Sequence, residues 1–186
     1  DVISHRFKRL PDMFSISIDK NDEGETVLDI DIKNVNSHFF GYLINTSRLY
    51  WRAETETRFG EDRTAAAAYL EANPFRIDGE GLRSYEIIEQ KQNLINKIFT
   101  FGYMLHRYKD FVRAWAPLAM DNKIGEEDEC NGRSGKSFFF KVLSFMMKTV
   151  KLSGRNPKLM DNPHVFDQVS QFTDLLLVDD CDRYLN

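Results

Sequence analysis

The segment from Cys130 to Ser137 constrains the fold of this chain more than any other. Its last three residues, Gly135-Lys136-Ser137, match the closing triplet of a phosphate-binding loop, which joins a strand to a helix. In such a loop backbone N–H groups surround a phosphate, the lysine neutralises its charge and the hydroxyl ligates magnesium. The full pattern starts with a glycine five residues before Gly135, where this chain has Cys130. The triplet alone therefore leaves a chance match open.

A second feature lies near the chain end, where residues 174–180 read Asp-Leu-Leu-Leu-Val-Asp-Asp. A short unbroken apolar run closed by two carboxylates predicts a buried parallel strand with acids at its carboxyl end. Asp179 is then expected to hold magnesium through water, and Asp180 to orient or deprotonate an attacking water. The alternative is that two exposed aspartates simply end a strand. Asp179 follows Lys136 by 43 residues, enough for one helix, one strand and a crossover.

Composition excludes several classes of protein. The formal charge of −4 provides no global basic field for nucleic acid, although it leaves room for a local groove. Cys130 and Cys181 are too few for a disulfide framework or a zinc site, which favours a reducing cytosol. No apolar run approaches the roughly 18 residues of a membrane span, and no secretory signal is visible. We therefore expect a cytoplasmic protein and, because the chain starts at Asp1, a piece of a longer one.

Periodicity organises the first half of the chain. Period-two alternation over 13–18 and 28–32 predicts a β-hairpin with one buried face. Apolar residues at helical spacing predict one long helix from Ser37 to about residue 57 and a second from Ser84 to about residue 109, with a short helix over 64–72 between them. These elements are expected to form a mainly helical first domain, residues 1–110.

Three basic side chains on the long helices have two interpretations each. Arg48 and Arg52, one turn apart, either face a phosphate or form a solvated flank that bridges to Glu54 or Glu56. His106 is either catalytic or complements the dipole at the end of its helix. In each case the second, structural interpretation is favoured.

Residues 111–186 are expected to form the second domain. The run 115–120 is predicted to be the strand that enters the phosphate loop, although Pro117 lacks a ladder N–H. From Ser137 a helix is expected to continue to about Val150, followed by a strand over 149–152 and a short helix over 162–169. The buried face of the first of these helices is expected to contain Phe138, Val142, Phe145, Met146 and Thr149.

These residues resemble a known family. Residues 132–139, Gly-Arg-Ser-Gly-Lys-Ser-Phe-Phe, and residues 175–180, Leu-Leu-Leu-Val-Asp-Asp, are similar to motifs A and B of the superfamily 3 helicases of viruses, phages and mobile elements. The spacing is typical of phage and plasmid primase-helicase proteins with a poxvirus-type helicase domain. Residues 40–48 and 102–109 also look like the helical collar that precedes the motor there. The resemblance covers roughly residues 37–186.

The resemblance implies a fold, an activity and partners. The fold would be α/β, a P-loop NTPase of the AAA+ type with a parallel sheet, preceded by the helical domain. The protein would be an ATP-dependent DNA helicase of a phage or mobile element that assembles into a homo-oligomeric ring, commonly a hexamer. It would pull single-stranded or forked DNA through the ring with ATP and Mg²⁺ as cofactors.

The family's site residues transfer onto matching positions. Lys136, Asp179 and Asp180 would be catalytic, while Ser137 and Asp179 would hold magnesium. The nucleotide would contact Asn131, Gly132, Arg133, Ser134, Gly135, Lys136 and Ser137.

The sequence departs from the family pattern in two ways. Cys130 replaces the first glycine of motif A, and no third motif with a sensor asparagine, an arginine finger or a DNA-gripping hairpin follows motif B. We therefore expect this chain alone to hydrolyse ATP poorly. Two alternatives stay open: a P-loop NTPase without a nucleic-acid role, and a non-catalytic oligomerisation module built from the two long helices.

Overall fold

The computed structural model describes residues 13–35, 37–106, 110, 112–120, 135–154 and 162–179. It divides the chain into two compact units, residues 1–99 and 100–186. The described residues form a mixed α/β structure with five helices and two small sheets. None of the helices in this described part combines the length and the apolarity needed to cross a membrane.

The predicted hairpin is confirmed. Strand β1 (Phe14–Lys20) pairs antiparallel with β2 (Thr26–Ile32), in a register that places Ile16 opposite Ile30. Helix α1 (His38–Ser47) covers the base of the hairpin, where the rings of Phe14 and Phe40 lie 5.5 Å apart. The alternating face is therefore buried at its base only: Ile30 is 1% exposed, whereas Ile18 near the turn is 75% exposed.

The first long helix is two helices, contrary to the prediction. Helix α1 begins after Ser37, whose hydroxyl accepts the N–H of Phe40, and α2 spans Trp51–Phe59. The chain leaves helical geometry at Arg48, where ψ is 74°. This break lets the guanidinium of Arg48 reach Glu54. In a continuous helix the two side chains, six residues apart, would not be neighbours, because only residues three or four apart face each other.

The other two predicted helices are present, although the second ends at Leu105 rather than at about residue 109. Helix α3 (Arg63–Ala72) begins at Asp62, whose carboxylate accepts the N–H groups of Thr64 and Ala65. Helix α4 (Ser84–Leu105) buries Leu94 and Ile95 on its apolar face. Its last residues belong to the second unit, because the boundary between the units falls within it.

The second unit contains a helix and a pair of parallel strands. Helix α5 (Lys136–Ser144) is followed by β3 (Thr149–Ser153), which pairs in parallel with β4 (Leu175–Asp179). The register runs from Thr149 opposite Leu175 to Ser153 opposite Asp179, so both strands end at the same edge. Helix α5 packs against β4, and Leu143 and Leu175 are buried there.

The strand predicted over residues 115–120 is wrong. These residues form neither helix nor strand, and Trp115, Leu118 and Met120 are 63%, 75% and 66% exposed. Pro117 has no N–H to donate to a neighbouring strand, so an apolar run that contains it does not form a central strand here. A P-loop core, which would need a strand entering the loop, is therefore not confirmed by the described residues.

The predicted helix after Ser137 has the wrong length and the wrong buried face. Helix α5 ends at Ser144, so Phe145 lies beyond it and is 78% exposed. Phe139 and Leu143, four residues apart on one face, are buried instead of Phe138, which is 50% exposed. Likewise, residues 163–168 form successive turns rather than the predicted short helix.

Candidate phosphate-binding loop and acidic strand

Helix α5 begins immediately after a glycine in a left-handed backbone conformation. Gly135 precedes the helix with φ 83° and ψ 1°, in the left-handed region. A side chain there would be strained by about 1–2 kcal/mol, so this position favours glycine. Lys136 is the first residue of α5, and no acidic residue lies in the first turn. The positive end of the helix dipole is therefore not offset by a carboxylate from that turn.

Asp179 ends β4 as the sequence predicts. Its C=O accepts the N–H of Gly154 at 2.6 Å, which extends the parallel ladder by one bond beyond β3. Its carboxylate Oδ2 lies 2.6 Å from Nζ of Lys151, with Asp179 about one-third and Lys151 about two-thirds exposed. The acid proposed as a metal ligand is thus engaged with an ammonium group.

Sequence reasoning missed Lys151, although the pattern contained a signal for it. In the parallel register Lys151 lies opposite Leu177, and Asp179 is two residues further along the same strand. Residues two apart on a strand share a face, so a long lysine side chain at this position reaches Asp179. A lysine two positions before the end of β3, next to a strand that ends in an aspartate, therefore predicts the ion pair between Lys151 and Asp179.

Several predicted site residues cannot be compared with the structure. Asn131, Gly132, Arg133 and Ser134 in the loop, and Asp180 after β4, lie outside the described residues. The described site residues are Gly135, Lys136, Ser137 and Asp179, all in the second unit.

The donor set suits magnesium in kind. A serine hydroxyl and an aspartate carboxylate are the hard oxygen donors that Mg²⁺ binds, usually together with waters and phosphate oxygens rather than in a full protein cage. Ser137 is exposed on the first turn of α5 and Asp179 lies at the strand end. Within the ranges that the structure describes, no three His, Cys, Asp or Glu side chains cluster as metal ligands. Ser137 and Asp179 are therefore of the right chemical kind to contribute to a magnesium site.

Arg48 does not face a phosphate, so that interpretation is wrong. The residue is 6% exposed, and Nη2 donates to both carboxylate oxygens of Glu54, at 3.0 and 2.9 Å. Tyr69 donates its hydroxyl to the same carboxylate at 2.7 Å. The partner Glu54 was expected, but the pair is buried rather than solvated. Arg52 stays on the surface, with its guanidinium 5.2 Å from the ring centre of Trp51.

The buried pair also explains a glycine. A Cβ added to Gly79 would lie 2.2 Å from Cδ of Glu54, a distance that side chains do not tolerate. Gln90, fully buried on α4, holds the same loop by donating to the C=O of Ile77 at 2.7 Å and accepting the N–H of Tyr50 at 2.9 Å. These contacts form a structural framework and not a ligand site.

Comparison of the chain with protein-family models, with curated proteins and with solved structures found no match.

Proposed function

We propose that residues 100–186 are part of an ATP-dependent motor of the superfamily 3 helicase type. In this proposal Lys136 and Ser137 bind the phosphates of Mg²⁺-ATP, Asp179 binds the metal, and Asp180 acts on the attacking water. The intact protein would be a homo-oligomeric ring, commonly a hexamer, that moves along single-stranded or forked DNA.

One observation carries the proposal: a left-handed glycine at the start of a helix occurs in the same unit as a parallel strand that ends in an aspartate. Four residues separate the end of α5 at Ser144 from the start of β3 at Thr149. Short connections of this kind favour a helix that runs antiparallel to the following strand. Lys136 would then point towards the edge where β3 and β4 end, which is where ligands bind in open parallel sheets.

The chain's own residues would act by positioning and charge. The ammonium of Lys136 and the N-terminus of α5 would neutralise phosphate oxygens. Ser137 and Asp179 would hold Mg²⁺, which supplies further charge neutralisation when it is bound with the nucleotide. Asp179 must release Lys151 before it holds a cation. Because this pair is partly exposed, that release costs about 1 kcal/mol or less.

Nucleotide binding tests the proposal directly. A fluorescent ATP analogue with Mg²⁺ is titrated into the wild-type chain and into Lys136→Ala. Loss of a charge-assisted contact should raise the Kd roughly 10- to 100-fold. Lys141→Ala is the matched control, because Lys141 is an exposed lysine on the same helix, and it should leave the Kd within about twofold. Equal Kd values for the two variants would contradict a phosphate role for Lys136.

The role of DNA needs a separate measurement. Anisotropy of a labelled single-stranded oligonucleotide is followed with and without a non-hydrolysable ATP analogue, and sedimentation velocity reports ring formation in the same samples. A helicase motor should bind the oligonucleotide more tightly, and assemble, when nucleotide is present. Nucleotide binding without any effect of DNA would favour the P-loop NTPase that has no nucleic-acid role.

The ion pair between Lys151 and Asp179 favours a second candidate, the non-catalytic module. In that alternative the acid simply ends a strand and is neutralised by its neighbour. A wild-type chain that binds no nucleotide, and a Lys151→Ala variant that binds none either, would support this module. Nucleotide binding that becomes tighter in Lys151→Ala would instead show that the ammonium competes with the metal for Asp179.

A further inference from the structure

The first unit contains an open cavity of about 560 Å³ that is distinct from the proposed nucleotide site. One wall is the segment 29–35, which comprises the end of β2 and the residues that follow it. The facing wall is formed by residues 75–78, with Lys91 of α4 at one end. The volume lies within the range of about 300–1,000 Å³ that is typical of ligand pockets.

The wall formed by β2 is a strand edge. Two hydrogen bonds, one at each end of the hairpin, show which residue pairs of β1 and β2 are hydrogen-bonded. They run from the N–H of Lys33 to the C=O of Met13 at 2.8 Å and from the N–H of Asn21 to the C=O of Glu25 at 3.0 Å. Because bonded and non-bonded pairs alternate, the even-numbered residues of β2 are non-bonded with β1. The N–H and C=O groups of Ile30 and Ile32 therefore point away from β1, towards the cavity.

These main-chain groups lack partners in the part of the chain that the structure describes. The neighbouring Leu28 C=O accepts a hydrogen bond from the side chain of Gln92, but none reaches the outward groups of Ile30 or Ile32. Ile30 is 1% exposed, so its outward groups are covered, whereas Ile32 is partly exposed. Unpaired main-chain groups at a strand edge, as at Ile32, are a template for another strand.

The same edge also presents two opposite charges. Asp31 and Lys33 alternate with the isoleucines and share the exposed face of the strand. Within the described residues neither side chain forms an ion pair, whereas Asp29 on that face is bound by Lys91 at 2.7 Å. Opposite charges facing each other on adjacent strands stabilise pairing by about 0.2–1 kcal/mol, and like charges oppose it.

We propose that the outer edge of β2, from Asp31 to Lys33, binds an extended peptide as a third strand of the hairpin sheet. The partner is a segment with one apolar residue, opposite Ile32, between one acidic and one basic residue that pair with Lys33 and Asp31. The outward N–H and C=O of Ile32 lie between two charged side chains in strand register, and an extended peptide can meet both with its main chain and its flanking side chains. This peptide site is independent of the nucleotide site.

The probe is a fluorescein-labelled peptide, Thr-Val-Glu-Val-Lys-Val-Thr, titrated into the full 186-residue chain by fluorescence anisotropy. One control peptide carries Glu at both charged positions and the other carries Lys at both. Each control therefore places a like charge opposite Asp31 or Lys33, whichever direction the peptide runs. The mixed-charge peptide should bind at least threefold more tightly than either control. Equal binding of all three peptides, or no binding of the mixed-charge peptide, would overturn the proposal.

A proline substitution tests the strand edge. Ile32→Pro removes an N–H that points to the cavity without removing a bond to β1, and should weaken peptide binding roughly 2- to 10-fold, the equivalent of one hydrogen bond. Ile16→Pro is the matched control, because the main-chain groups of Ile16 also point outward, but on the edge of β1 that pairs with no other described strand. It should leave peptide affinity unchanged. Equal weakening by both variants would contradict binding at β2.

A second measurement uses only the wild-type protein, in case Ile32→Pro does not fold. One version of the peptide is N-methylated on Glu and Lys, and the other on its central Val residues. Each version therefore loses the N–H groups along one of the two edges of the peptide strand. A third strand bonds through one edge, so one methylated peptide should lose binding and the other should retain it. If both retain or both lose binding, the proposed pairing is wrong. Lys136→Ala should not change any of these affinities, which separates this outcome from that of the nucleotide titration.

Discussion

The two units of this protein use different means to hold their shape. In the described part of the chain, every buried charged or amide side chain lies in the first unit, where Arg48, Glu54, Tyr69 and Gln90 bond loops and helices together. The second unit buries only the apolar side chains of Phe139, Leu143 and Leu175 around two parallel strands, among the residues described there. Parallel sheets usually have both faces covered.

The difference teaches where stability and chemistry reside. The polar network of the first unit contains no predicted catalytic residue, and its side chains bond mainly to one another and to backbone carbonyls, although the buried Nε of Arg48 has no partner among the described residues. The motif residues Lys136, Ser137 and Asp179 lie at element ends in the less buried second unit. We therefore expect the second unit to open more readily, and each unit can be followed separately because each contains one of the two tryptophans, Trp51 and Trp115.

The largest expected effect comes from the buried ion pair. Glu54→Gln would leave the guanidinium of Arg48 buried without a countercharge, which costs about 3–5 kcal/mol. Urea unfolding, followed by Trp51 fluorescence in a Trp115→Phe background, measures the loss in the first unit. Glu56→Gln, an exposed residue on the same helix, should change the unfolding free energy by less than about 0.5 kcal/mol. If Glu54→Gln were as mild as this control, the network would not be what stabilises the first unit.

An intermediate effect is expected from the small core of the second unit. Leu143→Ala removes a fully buried side chain from α5 and should cost about 2–4 kcal/mol, read from Trp115 in a Trp51→Phe background. Phe145→Ala removes a larger but exposed side chain and should cost less than about 0.5 kcal/mol. A larger loss of stability in Phe145→Ala than in Leu143→Ala would instead support the buried face that the sequence pattern predicted.

The last prediction concerns pH and the first unit. Lys97 on α4 donates to the C=O and hydroxyl of Thr46 and to the hydroxyl of Ser47, at the end of α1. Burial lowers the pKa of Lys97 from 10.5 to about 8. The unfolded chain thus binds this proton more tightly than the folded one does, so charging Lys97 opposes folding below pH 8, and this cost falls as the pH rises from 8 to 10.5.

A comparison of Lys97→Met with wild type isolates this pH dependence. The unfolding free energy of wild type should rise relative to that of the variant between pH 8 and 10.5, because other titrating groups cancel in the difference. Urea unfolding at several pH values, followed by Trp51, measures it. A difference that stays constant over this range would mean that the pKa of Lys97 is not lowered.

Local patterns were sufficient wherever one element decides its own structure. The hairpin follows from period-two alternation, α3 from its alanine-rich run before the Asn73-Pro74 stop, and β4 from a short apolar run closed by aspartates. Local patterns failed at the run 115–120, where apolar character competed with Pro117. They failed again in α5, where three consecutive phenylalanines, Phe138 to Phe140, fit more than one helical face.

The sequence alone determined the types of most elements and the identity of the candidate site residues, because spacing, caps and motif order are local properties. Only the tertiary structure decided that Arg48 is buried against Glu54, that Lys151 neutralises Asp179, and that the outer edge of β2 opens into a cavity. These features join residues from different elements. Their partners are selected by which surfaces meet on folding, and periodicity along the chain does not contain that information.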